Sequence, residues 1–525
     1  MQRKKQVGKE NRIRNIVYLI IAFGALVRLF LAAFLELGND EVYYITYARY
    51  PDLSHFDHPP MVGWFISFFS GNLSLCSELF IRFSSIVIFS LNALLIFRIV
   101  RKLADERAGL ISVILYHTSF YAFIITGVFI LPDTPVSVFW ILSLWFFIQA
   151  FEAGSPLKKQ NSSMFFAGVV VGLAMLSKYH AVSLWFAAIV FILISRREWL
   201  KRPVFYLSGI TSILIFLPVL YWNYQNEFIS FAFHGARVGH EQTGIRWDYV
   251  QREFLGQLGY NNPFNIAIYA ILLFAFFRQL HKNIRSVSGF LVLTAIPLII
   301  VFLLLSFTKK TLPHWSGPGY YALMMMAGVF YAKHSRKFLK VLVIAACIAS
   351  FLVIPAGFIY IHTGILHPDQ SQKPDYSVGR KDVTLDLYGW KQVSEKFAAL
   401  RKKDIEEGKM PADAILMTNK WFPAGHIDYY IARPLGLKLF VMGKLENIHK
   451  YYWINQIDGV PPDGSSAYYI STSRAFSDPG YEYKDYFSEI SQREAIPIIR
   501  SGKHAGNVFV YRMKNAKALP CVMKD

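Results

Sequence analysis

The chain of 525 residues is 54% hydrophobic and 17% charged, where a soluble protein carries about a quarter charged residues, and its mean hydropathy of +0.33 excludes an ordinary soluble enzyme. Lys and Arg outnumber Asp and Glu by 55 to 35, for a net charge of +20, but the surplus lies between apolar runs, as an orientation signal and not as a nucleic-acid footprint. Cys76, Cys347 and Cys521 show neither metal-site nor disulfide spacing.

In chain order, the basic N-terminus MQRKKQVGKENRIR leads into about 20 apolar residues. Acidic Glu36, Asp40 and Glu41 stand where a signal peptide would be cleaved, so the segment reads as a retained first spanning helix. Apolar runs predict about eleven such helices, near residues 14–36, 79–100, 108–131, 135–151, 163–177, 181–195, 204–222, 263–278, 287–307, 316–332 and 338–361. Alternate connections, RIVRKLADER, KKQ after Leu157, SRREWLKRP, RQLHKNIR and KHSRKFLK, are short and basic, whereas the remaining ones hold few cations for their length. The positive-inside rule then predicts an integral plasma (inner) membrane protein with a cytoplasmic N-terminus and an extracytoplasmic, periplasmic C-terminal region.

The residues with chemical potential fall on the outer connections. The first of these opens with Asp40 and Glu41, and its stretches EVYYITYARY and PPMVGWFISFF have the aromatic, amphipathic character of interfacial helices. Asp133, in LPDTP, stands at the junction of the third and fourth helices, where a helix cap is its ordinary role. Lys178, Tyr179 and His180 form the next outer turn, and a lone lysine there can simply snorkel to water. Lys309 and Lys310 break the low-charge pattern just before His314, and cations on the disfavoured side call for an anionic partner such as a lipid phosphate. The long loop after the seventh span carries His234, Arg237 and His240 as candidates for contact with an acceptor. No HExxH, CxxC or Walker pattern occurs, so neither a zinc-protease nor an ATP site is visible.

After Ile361 a polar linker through Pro368, Asp369, Gln370 and Lys373 separates a membrane domain, residues 1–362, from residues 363–525. There the strand candidates DAILMTN, LKLFVMG, SAYYIST and NVFVYRM accompany the helix candidates KQVSEKFAALRKK and AGHIDYYIA, which predicts a small α/β domain.

Outer carboxylates and outer cations on a hydrophobic body match sugar transfer from a polyprenyl phosphate. That reaction needs a base for the acceptor hydroxyl, cations for the departing phosphate and an apolar groove for the prenyl tail. The rival readings are a lipid-linked-glycan transporter or flippase, which would place its charges at the bilayer centre, and a polysaccharide polymerase or ligase.

The stretches NDEVYYITYARY, FDHPPMVGW, LPDTPVSVFW, SKYHAVSL, WNYQNEFISFAF and KKTLPHWSGPGY, in this order, resemble glycosyltransferase family 39 of the GT-C superfamily over roughly residues 15 to 335. This family includes protein O-mannosyltransferase-like proteins, with lipid A aminoarabinose transferases as relatives. The resemblance implies a polytopic α-helical fold and an inverting glycosyltransferase with a polyprenyl-phosphate-sugar donor. Its acceptor would be a lipid, a glycan or a protein, its surroundings membrane lipids, and nucleic acid no partner. On this pattern Asp40, beside Glu41, is the general base or acceptor-orienting group, Asp133 the second carboxylate, and Lys178 the contact to carrier phosphate or sugar. His58 stands before the double proline where aminoarabinose transferases carry a lysine. No cofactor is required; a divalent metal held by Asp40 and Asp133 is allowed.

Overall fold

The computed structural model describes residues 2–238, 244–334, 336–366 and 375–523, so the polar linker through Pro368 and Lys373 lies outside the described residues. In chain order the helices are α1 (Gln2–Phe34), α2 (Asn39–Arg49), α3 (Met61–Phe69), α4 (Glu78–Leu103), α5 (Glu106–Thr118), α6 (Asp133–Ala150), α7 (Leu157–Met175), α8 (Ser183–Ser195) and α9 (Pro203–Gln225). They continue with α10 (Ile229–Val238), α11 (Trp247–Asn261), α12 (Pro263–Phe277), α13 (Leu280–Asn283), α14 (Val287–Leu305), α15 (Gly317–Lys333), α16 (Lys337–Thr363), α17 (Trp390–Glu406) and α18 (Trp421–His426). Every apolar run expected to span coincides with a helix. Among the described residues, 6 helices are long and apolar enough to cross a membrane, or up to 7 if α11 and α12, bent by 98°, form one span.

The run 108–131, expected as one span, is broken. Helix α5 stops at Thr118 because the Thr118 carbonyl accepts from Asn262 Nδ2 (3.1 Å) and Ser350 Oγ (3.2 Å). A buried carbonyl needs a partner, and these side chains supply it where a helical N–H would otherwise stand. Asn262 also sets the bend between α11 and α12: it adopts φ +65°, which Asn tolerates better than most residues, and its Oδ1 accepts from the N–H of Phe264 at 3.2 Å.

Contacts within the chain define two compact units: residues 1–32 with 52–353, and residues 33–51 with 354–525. The expected division at 362/363 followed chain order, whereas these units interleave, and residues 33–51 count with the C-terminal part. In the first unit, α7 and α9 meet through small residues spaced one turn apart. A Cβ on Gly168 would stand 2.3 Å from the Ser208 carbonyl oxygen, and one on Gly172 3.1 Å from Ser212 Cα. Ser212 Oγ donates to the Gly168 carbonyl at 2.5 Å. Close backbone approach through Gly and Ser is how helices associate where lipid offers no hydrophobic drive.

In the second unit, strands β1 (Ile415–Thr418), β2 (Leu439–Val441), β3 (Ala467–Thr472), β4 (Phe487–Ile490), β5 (Glu494–Arg500) and β6 (Lys503–Ala516) form a sheet of order β2-β1-β3-β6-β4, with β5 also paired to β6. Strands β1, β2 and β3 are parallel and β6 runs antiparallel to β3. Arg512 binds Asp404 of α17 through two bonds of 2.6 and 2.8 Å, tying helix to sheet. EVYYITYARY is helical as expected, yet it is a core element. Val42, Tyr43, Ile45 and Tyr47 are at most 2% exposed, and the Tyr43 ring lies 5.2 Å from Trp421 of α18 and 6.5 Å from Tyr451. Helix α3 fits the interfacial reading better: Met61, Val62 and Ile66 are buried, while Trp64 and Phe68 are exposed.

The α7–α9 contact predicts that Gly168→Val, which forces methyl groups onto the Ser208 carbonyl, destabilises the membrane unit by about 1–3 kcal/mol. Thermal unfolding in detergent micelles would register this as a lower midpoint, and an unchanged midpoint would refute the packing argument.

Candidate active site

Asp133 begins α6, but Pro132 occupies the cap position and no side chain caps the helix. The carboxylate is engaged elsewhere. Its Oδ2 accepts from Lys178 Nζ at 2.8 Å and its Oδ1 from the Tyr121 hydroxyl at 3.0 Å. Both partners of the ion pair are buried, at 6% and 2% side-chain exposure, so Lys178 does not snorkel. Its position follows from local structure: α7 ends at Met175, the Lys178 N–H is bonded to Ala174, and Lys178 itself is extended (φ −154°, ψ 133°). An extended residue between a helix end and a 3-10 turn turns its side chain across the end of the bundle toward α6.

Tyr121 arrives by a different device. It opens a π-helical turn, Tyr121–Ile125, just beyond the end of α5. A Cβ on Gly317 would come within 2.2 Å of the Tyr121 ring, so glycine at the start of α15 makes the room that Tyr121 needs. On the other side of that turn lies Arg28 of α1, fully buried. Its guanidinium donates to the Gly24 carbonyl at 2.7 Å and sits 3.3 Å from the Phe89 ring centroid and 3.7 Å from that of Phe123. Hydrogen-bond partners for Nε and Nη2 are lacking among the described residues. Cβ atoms on Gly24 and Gly127 would both collide with this guanidinium, so two glycines reserve its space.

Imidazoles surround the pair. His180 and His314 lie within electrostatic reach of Asp133, as does His58. His58 and His234 stand 5.9 Å apart by ring centroids, and His234 Nε2 is bonded to the Asp57 carbonyl at 2.6 Å. Tyr179 packs 5.4 Å from His234. Burial holds His58 down to about 3 and His314 down to about 4, so at neutral pH these rings offer hydrogen bonds and no charge. Lys309 and Lys310 follow α14, Lys309 half-buried and Lys310 exposed, and neither has an ion-pair partner among the described residues. Their loop is pinned where Arg252 donates to the Thr311 carbonyl (2.5 Å) and Thr311 Oγ1 to Glu253 (2.7 Å).

Asp40 and Glu41 belong to the second unit. Asp40 is exposed at the start of α2. Glu41 is buried, and its carboxylate accepts from the Gly38 N–H at 2.9 Å, which makes it a helix-capping residue. Arg237 lies in α10, and His240 falls outside the described residues. No group of three or more His, Cys, Asp or Glu side chains among the described residues is arranged to hold a metal ion.

The model of the dolichyl-phosphate-mannose-protein mannosyltransferase family matches residues 57–222, the stretch that supplies His58, Asp133, Lys178, Tyr179 and His180. Across nearly the whole chain the fold is similar to that of ArnT from Cupriavidus metallidurans. The apo crystal structure superposes with a TM-score of 0.63 at 16% identity, covering 95% of this chain and 98% of that one. The chain therefore has the fold of ArnT, and within it residues 57–222 match the mannosyltransferase family model. The crystal structure of the same ArnT bound to undecaprenyl phosphate superposes with a TM-score of 0.61 at 14% identity, covering 94% and 98%. No curated protein matches the chain by sequence.

Three buried polar residues escape a reading of the sequence: Tyr121, Arg28 and Glu253. Tyr121 sits in an apolar run indistinguishable from a span. Arg28 carries a signal that a closer look at ALVRLFLA provides, since an arginine within an apolar helix is functional by default. Glu253 is wholly buried and accepts from Gln257 (2.8 Å) as well as Thr311, and its sign is the one-turn spacing in REFLGQ.

Removing one partner of a buried ion pair strands the other charge, at a cost of about 3–5 kcal/mol. Lys178→Met is therefore expected to lower the unfolding midpoint sharply, and the double variant Asp133→Asn with Lys178→Met to recover most of that loss without recovering activity. Additive losses in the double variant would contradict the pairing. For pH, a histidine held below its usual 6.5 in the fold contributes stability that is complete above pH 6.5 and is lost as pH falls through the folded value. The unfolding midpoint should be flat above pH 6.5 and decline toward pH 4, less steeply in His58→Asn and His314→Asn. A decline of equal slope in both variants would exclude these rings.

Proposed function

We propose that this chain is a membrane glycosyltransferase that moves a sugar from a polyprenyl-phosphate carrier to a hydroxyl acceptor in a site built around Asp133, Lys178 and Tyr121, opening on the extracytoplasmic face of the plasma membrane. The observation that supports this site is the buried ion pair of Asp133 and Lys178 in the unit that carries the family match. The likeness to an ArnT structure bound to undecaprenyl phosphate supports the class of carrier.

In this reading each group has one task. Asp133 and Tyr121 hold the Lys178 ammonium at a fixed point in a medium of low dielectric, where a positive charge acts strongly on an arriving phosphate. Lys309 and Lys310, which have no carboxylate partner among the described residues, supply the net positive charge for a phosphate whose negative charge grows as the glycosidic C–O bond breaks. Neutral His58, His180 and His314 donate hydrogen bonds to phosphate or sugar oxygens. The acceptor oxygen bonds to the anomeric carbon from the face opposite the departing phosphate as the C–O bond to that phosphate breaks, which inverts the centre, and its proton passes to a carboxylate base, for which the family resemblance names Asp40. His234 and Arg237 stand in the loop assigned to the acceptor, with His240 alongside in sequence. The two Asp133 oxygens are already engaged, so the reaction is written without a metal. The positive-inside pattern supports the sidedness. The acceptor class is a lipid A or core oligosaccharide, another surface glycan, or a protein hydroxyl.

Mass spectrometry of envelope glycolipids and glycoproteins, with and without the gene, is expected to reveal one missing glycosyl group. Asp40→Asn should fail to restore it, by at least about 100-fold in initial rate, while EDTA leaves the wild-type rate unchanged. Normal restoration by Asp40→Asn would remove Asp40 as the base, and loss of rate in EDTA would restore the metal-bridged form.

A further inference from the structure

At the end of α6 remote from Asp133 lies a second cavity, of about 250 Å³, between the last turns of α4 and α6, the end of α8 and the start of α14. Its wall is apolar, with Ile148, Phe151 and Trp145, and its rim carries Arg98, Lys102 and Arg196. One carboxylate, Glu152, also lines it, but that charge is already neutralised. It accepts from Lys102 at 2.7 Å and Ser155 at 2.9 Å, with Lys159 at 3.7 Å. Arg98 has no hydrogen-bond or ion-pair partner among the described residues. Among the described residues Arg196 donates to the carbonyls of Ser195 and Phe151, each at 3.4 Å, and has no carboxylate partner. The rim is cationic and the interior is greasy.

Distance fixes the setting. Helix α6 has 18 residues, about 27 Å at 1.5 Å per residue, close to the thickness of a bilayer's hydrocarbon core. With Asp133 at one membrane boundary, the cavity sits at the other, where lipid phosphates lie and where Trp is favoured. A soluble anion would gain nothing from the apolar wall, and a neutral lipid nothing from two arginines without counter-ions.

We propose that this cavity binds one anionic membrane phospholipid, its phosphate against Arg98, Lys102 and Arg196 and its acyl chains along Ile148, Phe151 and Trp145. The site is separate from the sugar-transfer centre, on the opposite boundary, and basic pockets between membrane helices are suited to such headgroups. It does not depend on the assignment of Asp40 or Lys178.

The test is native mass spectrometry of the full-length protein released from bilayers of equal parts phosphatidylglycerol and phosphatidylcholine. The wild type should retain one phosphatidylglycerol per chain in preference to phosphatidylcholine, and Arg98→Gln with Arg196→Gln should lower that retention roughly tenfold. Soluble glycerol phosphate should not displace the lipid, and undecaprenyl phosphate should not replace it. Equal retention of the two lipids by the wild type overturns the proposal whatever the variant does. So does unchanged retention by a variant whose unfolding midpoint in phosphatidylcholine matches the wild type, displacement by glycerol phosphate, or replacement by undecaprenyl phosphate.

Discussion

The first unit is organised around a lysine and an aspartate paired out of contact with water, Lys178 and Asp133. Neither charge is tolerable there alone, since removal from water costs several kcal/mol per ion. Together, at 2.8 Å and with a tyrosine hydroxyl on the second carboxylate oxygen, they form a fixed dipole. Such a pair adds little net stability compared with two hydrophobic residues.

The segment that carries the tyrosine is irregular. A helix is interrupted at Thr118 by two side chains that take its carbonyl, a π-helical turn re-aims Tyr121, and a glycine on α15 vacates the space its ring fills. Arg28 backs the same turn between two phenylalanine rings. Each of these features departs from regular helix or carries a cost in isolation, and the π-helical turn with its glycine is what brings the Tyr121 hydroxyl to Asp133. The histidines add hydrogen-bonding capacity without charge, because burial disfavours their protonated forms.

Much of the architecture was legible in the chain. Apolar runs of spanning length locate helices because the bilayer demands internally satisfied backbone over a fixed thickness; each expected run holds a helix, but the run 108–131 is broken after Thr118, and among the described residues 6 or 7 helices, against about eleven expected, are long and apolar enough to cross. The strands DAILMTN, LKLFVMG, SAYYIST and NVFVYRM were readable because each is buried and apolar. Strands β4 and β5, which include FSEI and EAIPIIR, were not: they are half polar and are strands because the long β6 offers them an edge. EVYYITYARY announced a helix but not its surroundings, since tyrosines suit a membrane interface and a protein core alike. Asp133 and Lys178 stood out as ionisable residues at helix ends, and Tyr121 did not, because one tyrosine among apolar neighbours carries no local mark.

The amino-acid sequence by itself determined that the chain lives in a membrane, where its helices fall and which ionisable residues border them, because these follow from local hydropathy and charge. Only the tertiary structure decided that Lys178 meets Asp133 across 45 positions of chain and that residues 33–51 count with the C-terminal unit. Those outcomes depend on packing between remote segments. The energy of an ion pair or a close glycine contact exists only once the whole fold has brought its members together.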